Sequence, residues 1–243
     1  MFKLIKFVLG VAVVGGLAAA GYFAVINRQI NVNHFFIGGM SRGADVSSYQ
    51  GEIDMQRLKE QNIDFIYIKA TEGSSYKDPN FTTNWQNAAE AGLTAGAYHF
   101  FSYESSGATQ AENFINTVGA LSGRLVPVVD LELSTEQKKS PPDKAEVVKS
   151  LKTLVAALEE KYDTRPMLYA TRDYFEKYLK DDFSGYPRWV RSVFWPVYLE
   201  AGNDWVLWQY DDHAKLEGYR GSEEFIDLNV VNPEKGLEAI KYN

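Results

Sequence analysis

The chain has 243 residues, a formal net charge of −7 and no cysteine. With a negative net charge and no basic patch in the sequence to neutralise phosphates, a nucleic-acid partner is not expected. The lack of cysteine excludes disulfides, thiol catalysis and zinc–thiolate sites. The three histidines, His34, His99 and His213, lie far apart without the spacing of metal ligands, so we expect no metal and no cofactor.

The N-terminal segment has the pattern of an export signal. Residues 7–26 carry no charged side chain and follow Lys3 and Lys6. As a helix rising about 1.5 Å per residue, this run just spans the hydrocarbon core of a bilayer. The lysines would hold its start in the cytoplasm. We favour an uncleaved membrane anchor; the alternative is a signal peptide cleaved near residues 17–21, where small residues suit a peptidase. Both place the domain in the cell envelope, outside the cytoplasm.

The chain divides into four parts. Residues 1–28 form the anchor or signal peptide, 29–40 a linker, 41–235 one folded domain and 236–243 a C-terminal tail. About 200 residues suit a single domain with a substantial core.

Apolar strand patterns alternate with helical patterns through this domain. The predicted strands cover residues 43–47, 65–70, 93–101, 125–133, 166–170, 189–191, 205–210 and 225–228. The predicted helices cover residues 53–59, 78–92, 108–118, 142–162 and 171–179, the first with Asp54 as N-cap. Little helix separates the last strands. The alternation predicts an α/β fold, a parallel TIM-like (β/α) barrel of about eight strands with an irregular final part.

Two acidic residues lie at the end of the most apolar predicted strand. Leu125 to Val129 is a continuous apolar run, as a strand buried on both faces needs, and Asp130 and Glu132 follow it. Because side chains alternate across a strand, the two carboxylates share one face, with Cα atoms roughly 6.6 Å apart. Like charges this close raise the pKa of one carboxyl, which then keeps its proton. A proton donor beside an anion suits glycosidic bond cleavage. On this stretch alone, two solvated loop acids fit equally well.

Other polar side chains also lie at the ends of predicted strands. They are Asp45, Glu72, Tyr98, Tyr169, Gln209 and Asp227. Each alone has an ordinary structural explanation, such as a turn acid or a core tyrosine. Because the C-terminal ends of barrel strands converge on one mouth, their joint placement predicts a single site shared with Asp130 and Glu132.

The sequence contains several short motifs in an order that is typical of one protein family. They are Asp45-Val46-Ser47-x-x-Gln50, Ile68-Lys69-Ala70-Thr71-Glu72-Gly73, Ala91-Gly92-Leu93-x-x-Gly96-Ala97-Tyr98-His99-Phe100, Asp130-x-Glu132, Trp208-Gln209-Tyr210 and Ile226-Asp227-Leu228-Asn229. Together they resemble glycoside hydrolase family 25, the lysozymes of the Chalaropsis type, over about residues 42–232. The resemblance implies a flattened, irregular β/α barrel. It also implies cleavage of the β-1,4 bond between N-acetylmuramic acid and N-acetylglucosamine in peptidoglycan glycan strands.

The resemblance assigns roles to the acids. Glu132 matches the general acid, and we expect Asp130 and burial to keep it protonated. Asp130 matches the residue that orients or stabilises the acetamido group of the substrate. Asp45 and Asp227 match two further acids of the catalytic depression. Same-face carboxylates fit either the retaining or the inverting separation. The resemblance favours net retention, with the N-acetyl oxygen of the substrate as nucleophile.

The remaining site residues are assigned to substrate binding. Tyr98, Tyr169 and Gln209 match polar groups near the cleaved sugar, and we group Glu72 with them. Trp189-Val190-Arg191-Ser192 departs from the usual family motif, which leaves a sugar-binding role for Trp189 in doubt.

Two other functions fit the same pattern. One is a non-catalytic module that binds glycan in the envelope, and the other is a chitinase-like hydrolase on a similar barrel. An intact Asp-x-Glu pair with its accompanying acids argues against a pure binding module. We expect a monomer whose partners are peptidoglycan glycan strands and, through the N-terminal segment, the membrane.

Overall fold

A closed barrel forms the centre of the computed structural model, which describes residues 20–27 and 30–242. The strands are β1 (Arg42–Val46), β2 (Phe65–Glu72), β3 (Tyr76–Lys77), β4 (Thr94–Phe100), β5 (Val128–Asp130), β6 (Met167–Thr171), β7 (Arg188–Arg191), β8 (Leu207–Ala214) and β9 (Ile226–Val231). All except β3 close into a barrel of eight strands, in which β1 pairs with both β2 and β9. β3 pairs only with the end of β2. The predicted α/β barrel is confirmed.

Helices surround the barrel. They are α1 (Met55–Glu60), α2 (Phe81–Glu90), α3 (Gly107–Val118), α4 (Thr135–Lys139), α5 (Lys144–Tyr162), α6 (Arg172–Tyr174) and α7 (Tyr198–Ala201). A π-helical turn covers Phe175–Leu179, and 3-10 turns cover Val32–Phe35 and Leu237–Ile240. Asp54 caps α1 as predicted, because its carboxylate accepts a hydrogen bond from the Arg57 amide. The apolar stripe of α5 packs on the barrel wall.

The last strand departs from the predicted parallel arrangement. β9 runs antiparallel to both β8 and β1, whereas the other neighbouring barrel strands are parallel. The cause is the connection, because residues 215–225 join β8 to β9 without a helix. A parallel return would need a crossover of about a dozen residues or more. The mouth of the barrel therefore contains the start of β9 and the ends of the other strands.

Aromatic side chains fill the barrel interior. Phe65 and Tyr67 of β2 are completely buried there, against residues of β5, β6 and β7. A Cβ atom on Gly43 would lie 2.2 Å from the Phe65 ring, and one on Gly96 would lie 2.2 Å from the Tyr67 ring. Glycine at these two positions therefore gives the rings the space they occupy. A separate apolar layer lies between the strands and the helices.

The segment predicted as a C-terminal tail closes the bottom of the barrel. Ile240 is completely buried in the interior cluster. Its carbonyl accepts a hydrogen bond from the Val126 amide, and the Tyr242 amide donates to the Arg124 carbonyl. The turn Leu237–Ile240 thus contributes to the core.

Part of the predicted linker, residues 29–40, is fixed to the barrel. Asn33 is completely buried, and its Nδ2 donates to the carbonyls of Ser192 and Tyr210, both at 3.0 Å. Asn31 Nδ2 also donates to the Tyr210 carbonyl, and His34 Nε2 lies 2.9 Å from Asp211 Oδ2. Over residues 31–34 the chain is therefore not a free tether.

The predicted membrane anchor lies mostly outside the described residues. Of the run 7–26, only residues 20–26 are described, and they are helical. Within the described parts of the chain, no helix has both the length and the apolar character needed to cross a membrane.

Replacing Ile240 tests the role of the C-terminal turn. We expect Ile240→Ala to lower the free energy of unfolding by about 2–5 kcal/mol, because it removes a buried side chain and leaves a cavity. Glu238→Ala, on the exposed side of the same turn, should change it by less than about 0.5 kcal/mol. Denaturant unfolding measures both. Equal stability of the two variants would contradict a core role for this turn.

Candidate active site

A cleft of about 570 Å³ opens at the barrel mouth. Six of the predicted site residues line it: Asp45, Tyr98, Asp130, Glu132, Tyr169 and Asp227. They come from β1, β4, β5, β6 and β9 and from the residues directly after β5. A larger groove of about 1060 Å³ lies between α1, α2 and the connection from β8 to β9. The smaller cleft is the candidate active site because the predicted strand-end carboxylates converge there.

The backbone around Asp130 is held from both sides. β5 ends at Asp130, which lies beside Phe100 of β4 and Tyr169 of β6 in the strand register. The Asp130 carbonyl accepts from the Phe101 amide at 2.9 Å, and the next amide, Leu131, donates to the Tyr169 carbonyl at 3.0 Å. The strand is shorter than predicted, and Glu132 lies beyond its end.

Two tyrosines position Glu132. The Tyr103 hydroxyl donates to the Glu132 carbonyl at 2.8 Å. The Tyr169 hydroxyl lies 3.2 Å from Glu132 Oε1 and 2.8 Å from Gln209 Oε1. Since a phenol carries one proton, it can be donated to either oxygen. Tyr169 therefore connects the Glu132 carboxylate to the carboxamide of Gln209.

A chain of hydrogen bonds also holds Asp45. Asn229 Nδ2 donates to Asp45 Oδ2 at 2.7 Å, and the Trp189 indole donates to Asn229 Oδ1 at 2.8 Å. Gln209 Nε2 reaches the same Asp45 oxygen at 3.4 Å. Gln209 is almost completely buried and does not line the cleft. It lies beneath the cleft, where it connects Asp45 to Tyr169.

Trp189 belongs to the barrel interior. Its side chain is 2 % exposed, and its ring lies 5.0 Å from the Tyr67 ring and 5.1 Å from the Tyr169 ring between centroids. A stacking platform for a sugar needs an open ring face. Trp189 therefore forms part of the cleft floor and supports Tyr169 and Asn229.

Burial raises the pKa of three carboxyl groups in the cleft. The pKa of Asp45 rises to about 6, against a usual 3.8, mainly through burial. The pKa of Asp130 lies well above its usual value through burial first and then the charges of Glu132 and Asp45. The pKa of Asp227, which lies opposite Asp45 in the strand register, is raised in the same way by burial and by Asp45. Without substrate, these three carboxyl groups therefore favour their protonated forms.

Burial and the neighbouring charges favour the protonated form of Asp130, because they raise its pKa well above the usual value. The protonation of Glu132 expected from the sequence stays a prediction. The Asp130 Oδ1 atom is buried and has no hydrogen-bond partner among the described residues. A buried polar atom without a partner is costly and marks a position where a ligand group can bind.

Glu72 lies behind Lys69. The Lys69 ammonium lies 2.6 Å from the Glu72 carboxylate and 4.7 Å from the centre of the Phe100 ring. Lys69 lines the cleft and Glu72 does not. Sequence reasoning missed Lys69, although strand alternation puts it on the same inward face as Phe65 and Tyr67.

Arg191 is a second basic residue of the cleft, at the end of β7. Its guanidinium Nη2 lies 2.6 Å from Asp212 Oδ2. In the described part of the chain, no group of three or more His, Asp or Glu side chains is arranged to hold a metal ion.

Comparison with known proteins identifies the family. The sequence profile of glycosyl hydrolases family 25 matches residues 44–219. The chain belongs to glycosyl hydrolase family 25. The resemblance noted in the sequence is confirmed, and the protein is a glycoside hydrolase.

Two solved structures and one further protein sequence are similar to this chain. A family 25 glycosyl hydrolase from Bacillus anthracis is 43 % identical, with a TM-score of 0.73 over 80 % of this chain and 90 % of the other. The bacterial lysozyme of Streptomyces coelicolor is 28 % identical, with a TM-score of 0.72 over 84 % and 96 %. Lysozyme M1 of Streptomyces globisporus is 31 % identical over 79 % of this chain and 67 % of its own length.

The pKa of Asp45 predicts a pH-dependent stability. Between about pH 4 and pH 6 the unfolded chain loses a proton that the folded protein keeps, so stability falls as the pH rises through this window. Asp45→Asn removes this titration. We expect the variant to match the wild type below about pH 4 and to be more stable above about pH 6, by on the order of 1–3 kcal/mol.

Thermal unfolding across this pH range measures the effect. Glu90→Gln, which removes an exposed carboxylate on α2, is the matched control and should follow the wild-type profile. An Asp45→Asn profile parallel to that of the wild type would contradict the burial of this carboxyl.

Proposed function

We propose that this family 25 hydrolase is a muramidase. It cleaves the β-1,4 bond between N-acetylmuramic acid and N-acetylglucosamine in peptidoglycan. The observation that carries the proposal is the buried, unpartnered Oδ1 of Asp130 in the cleft that also contains Glu132. An N-acetyl sugar has an amide N–H that fits this acceptor. Two similar proteins are named lysozymes, from Streptomyces coelicolor and Streptomyces globisporus.

The shape and lining of the cleft suit a glycan strand. Aromatic side chains lie beside carboxylates at the mouth, including Tyr49, Tyr98 and Phe225. Sugars combine apolar ring faces with hydroxyl groups, so they need such mixed surfaces. Lys69 and Arg191 add positive charge at the edges of the site.

In the first step Glu132 is the general acid. Burial favours the protonated form of Asp130 in the free protein. The carboxylate form of Asp130 is stabilised when the acetamido N–H of the substrate binds Oδ1, so that its proton passes to Glu132. The proton then resides on Glu132, which donates it to the glycosidic oxygen as the C1–O bond breaks. The acetamido oxygen of the same sugar attacks C1 and forms a cyclic oxazolinium intermediate.

In the second step water opens that intermediate. The Glu132 carboxylate accepts a proton from the water as its oxygen bonds to C1 and the bond from C1 to the acetamido oxygen breaks. The product keeps the configuration at C1, and Glu132 regains its proton. Asp130 stabilises the positive charge that develops on the acetamido group.

The surrounding polar groups keep the pair in position. Tyr169 and Gln209 connect Glu132 to Asp45. Asp45 and Asp227 face each other across the β1–β9 pair and contact the sugar near the cleaved bond. Glu72 acts through Lys69, whose ammonium it holds at the cleft edge.

The protein acts as a monomer in the cell envelope, outside the cytoplasm. Residues 7–26 hold it in the membrane, as the apolar run and the preceding lysines suggest. The alternative, release after cleavage near residues 17–21, is distinguished by N-terminal sequencing of the mature protein.

Glu132→Gln tests the general acid. We expect a loss of about 10²- to 10⁴-fold in kcat, because glutamine cannot donate a carboxyl proton. The full chain in detergent is incubated with purified sacculi, and the released muropeptides are analysed for reducing ends. Glu223→Gln, on a side chain that also lines the cleft, is the control and should retain most activity.

Different products would lead to different conclusions. Reducing ends at muramic acid support a muramidase, whereas reducing ends at glucosamine would contradict it. Binding to sacculi without release would indicate a glycan-binding module. Near-wild-type activity of Glu132→Gln would show that Glu132 is not the acid.

Asp130→Asn and Asp45→Asn separate the two candidate helper carboxyls. We expect Asp130→Asn to lower kcat by roughly 10²-fold or more, since it loses the charge that stabilises the acetamido group in the transition state. Asp45→Asn should have a smaller effect. The same muropeptide assay measures both, with circular dichroism as a check on folding. A harmless Asp130→Asn together with an inactive Asp45→Asn would assign the helper role to Asp45.

A further inference from the structure

Six large apolar side chains are exposed on two neighbouring segments. Phe35 is 82 % exposed, Leu199 61 % and Trp195 46 %. We call the set the apolar rim; it consists of Phe35, Phe36, Phe194, Trp195, Tyr198 and Leu199. Single exposed apolar residues are ordinary, but a cluster of this size marks an interaction surface.

The two segments of the apolar rim are tied together. Phe36 packs edge-to-face on Tyr198, with 5.8 Å between ring centroids. Asn33, one turn before, donates to the Ser192 carbonyl at 3.0 Å. The Ser192 hydroxyl donates to the Trp195 carbonyl at 2.6 Å, which fixes the loop that carries Phe194 and Trp195. The rim is thus a formed surface.

The apolar rim lies close to the end of the N-terminal apolar run. That run ends at Ile26, and the chain is fixed to the barrel from Asn31 onward. At no more than about 3.6 Å per residue, the intervening stretch reaches less than roughly 18 Å. The membrane that is proposed to hold residues 7–26 therefore lies within reach of the apolar rim.

The composition of the rim fits the interface of a lipid bilayer. Trp, Tyr and Phe prefer the headgroup level, where an aromatic body is buried and a polar edge stays hydrated. The chain has a net charge of −7, so general attraction to anionic lipids would not hold the domain on the membrane. Apolar contact is then the interaction available for docking.

We propose that the apolar rim inserts into the interfacial region of the bilayer that holds the N-terminal run. This inference rests on the membrane attachment proposed above and is independent of the muramidase chemistry. The loop that carries Phe194 and Trp195 of the apolar rim begins at Ser192, directly after Arg191, which lines the catalytic cleft. Docking through the rim therefore holds the cleft beside the membrane surface. The enzyme then cuts glycan strands that lie next to the membrane rather than deep in the wall.

The fluorescence of Trp195 can report on this docking. Trp189, Trp205 and Trp208 are buried, and Trp85 lies on α2 with its ring against Arg124. The full chain is reconstituted into phosphatidylcholine vesicles that contain phospholipids brominated near the headgroup end of the acyl chain. We expect total tryptophan emission to fall by up to roughly one-fifth, because Trp195 is one of the five tryptophans and interfacial side chains sink roughly 5–10 Å into this region.

Matched variants identify the residue that is quenched. Trp195→Phe keeps an apolar ring and should remove most of the bromine-dependent quenching, whereas Trp85→Phe should keep it. The double variant Phe35→Ser, Leu199→Ser should weaken the quenching at least about twofold, since it removes apolar area from the rim. Muramidase activity on solubilised glycan strands, measured in the same preparations, should be unchanged in all three variants.

Two results would overturn the proposal. If the chain floats with the vesicles but Trp195 is not quenched, the N-terminal run is attached and the rim is not docked. If the chain does not float with the vesicles, both the attachment and the docking are wrong. Activity on soluble strands reports separately on the muramidase proposal.

Discussion

The structure depends on the filling of a closed barrel with aromatic rings. Phe65, Tyr67, Tyr169 and Trp189 occupy the interior. Glycine at the positions opposite Phe65 and Tyr67 on the neighbouring strands gives these two rings their space. The carboxylates at the mouth therefore lie on a floor of aromatic rings and of the buried amides of Gln209 and Asn229. Asp45, Asp130 and Asp227 cannot spread apart because each is fixed to its own strand.

This arrangement accounts for the electrostatics of the site. Burial removes water from each carboxyl, and the neighbouring carboxyls add repulsion, so the pKa values of Asp45, Asp130 and Asp227 are raised. The hydrogen-bond chain that starts at the Trp189 indole gives Asp45 partial compensation. Asp130 Oδ1 receives none from the described residues. Asp130 Oδ1 is thus the least satisfied carboxylate oxygen of the described site.

The segments outside the barrel also contribute. The C-terminal turn closes the bottom of the barrel. At the other end of the chain, the residues before β1 are tied to the ends of β7 and β8, beside the mouth. The polypeptide therefore reaches the domain on the side of the cleft.

The sequence by itself determined the barrel, the family and the residues that converge at the mouth. Strand and helix periodicities can be read from the local sequence. Asp45, Tyr98, Asp130 and Tyr169 lie near the ends of their strands, so the barrel topology brings them together. The direction of β9 was not predictable from periodicity, since a strand pattern is the same in both directions. Asp227 was correctly placed at the mouth even though it begins its strand there.

Only the tertiary structure decided the burial, the pKa and the exact position of each site residue. Burial depends on what lies beneath a side chain, and that is set by the packing of distant segments. This packing raises the pKa of Asp130, places the Trp189 ring in the floor of the cleft, and places Glu72 behind Lys69. The same holds for the residues before β1 and after β9. They have no strong periodicity, and their positions follow from hydrogen bonds to parts of the chain that are far away in sequence.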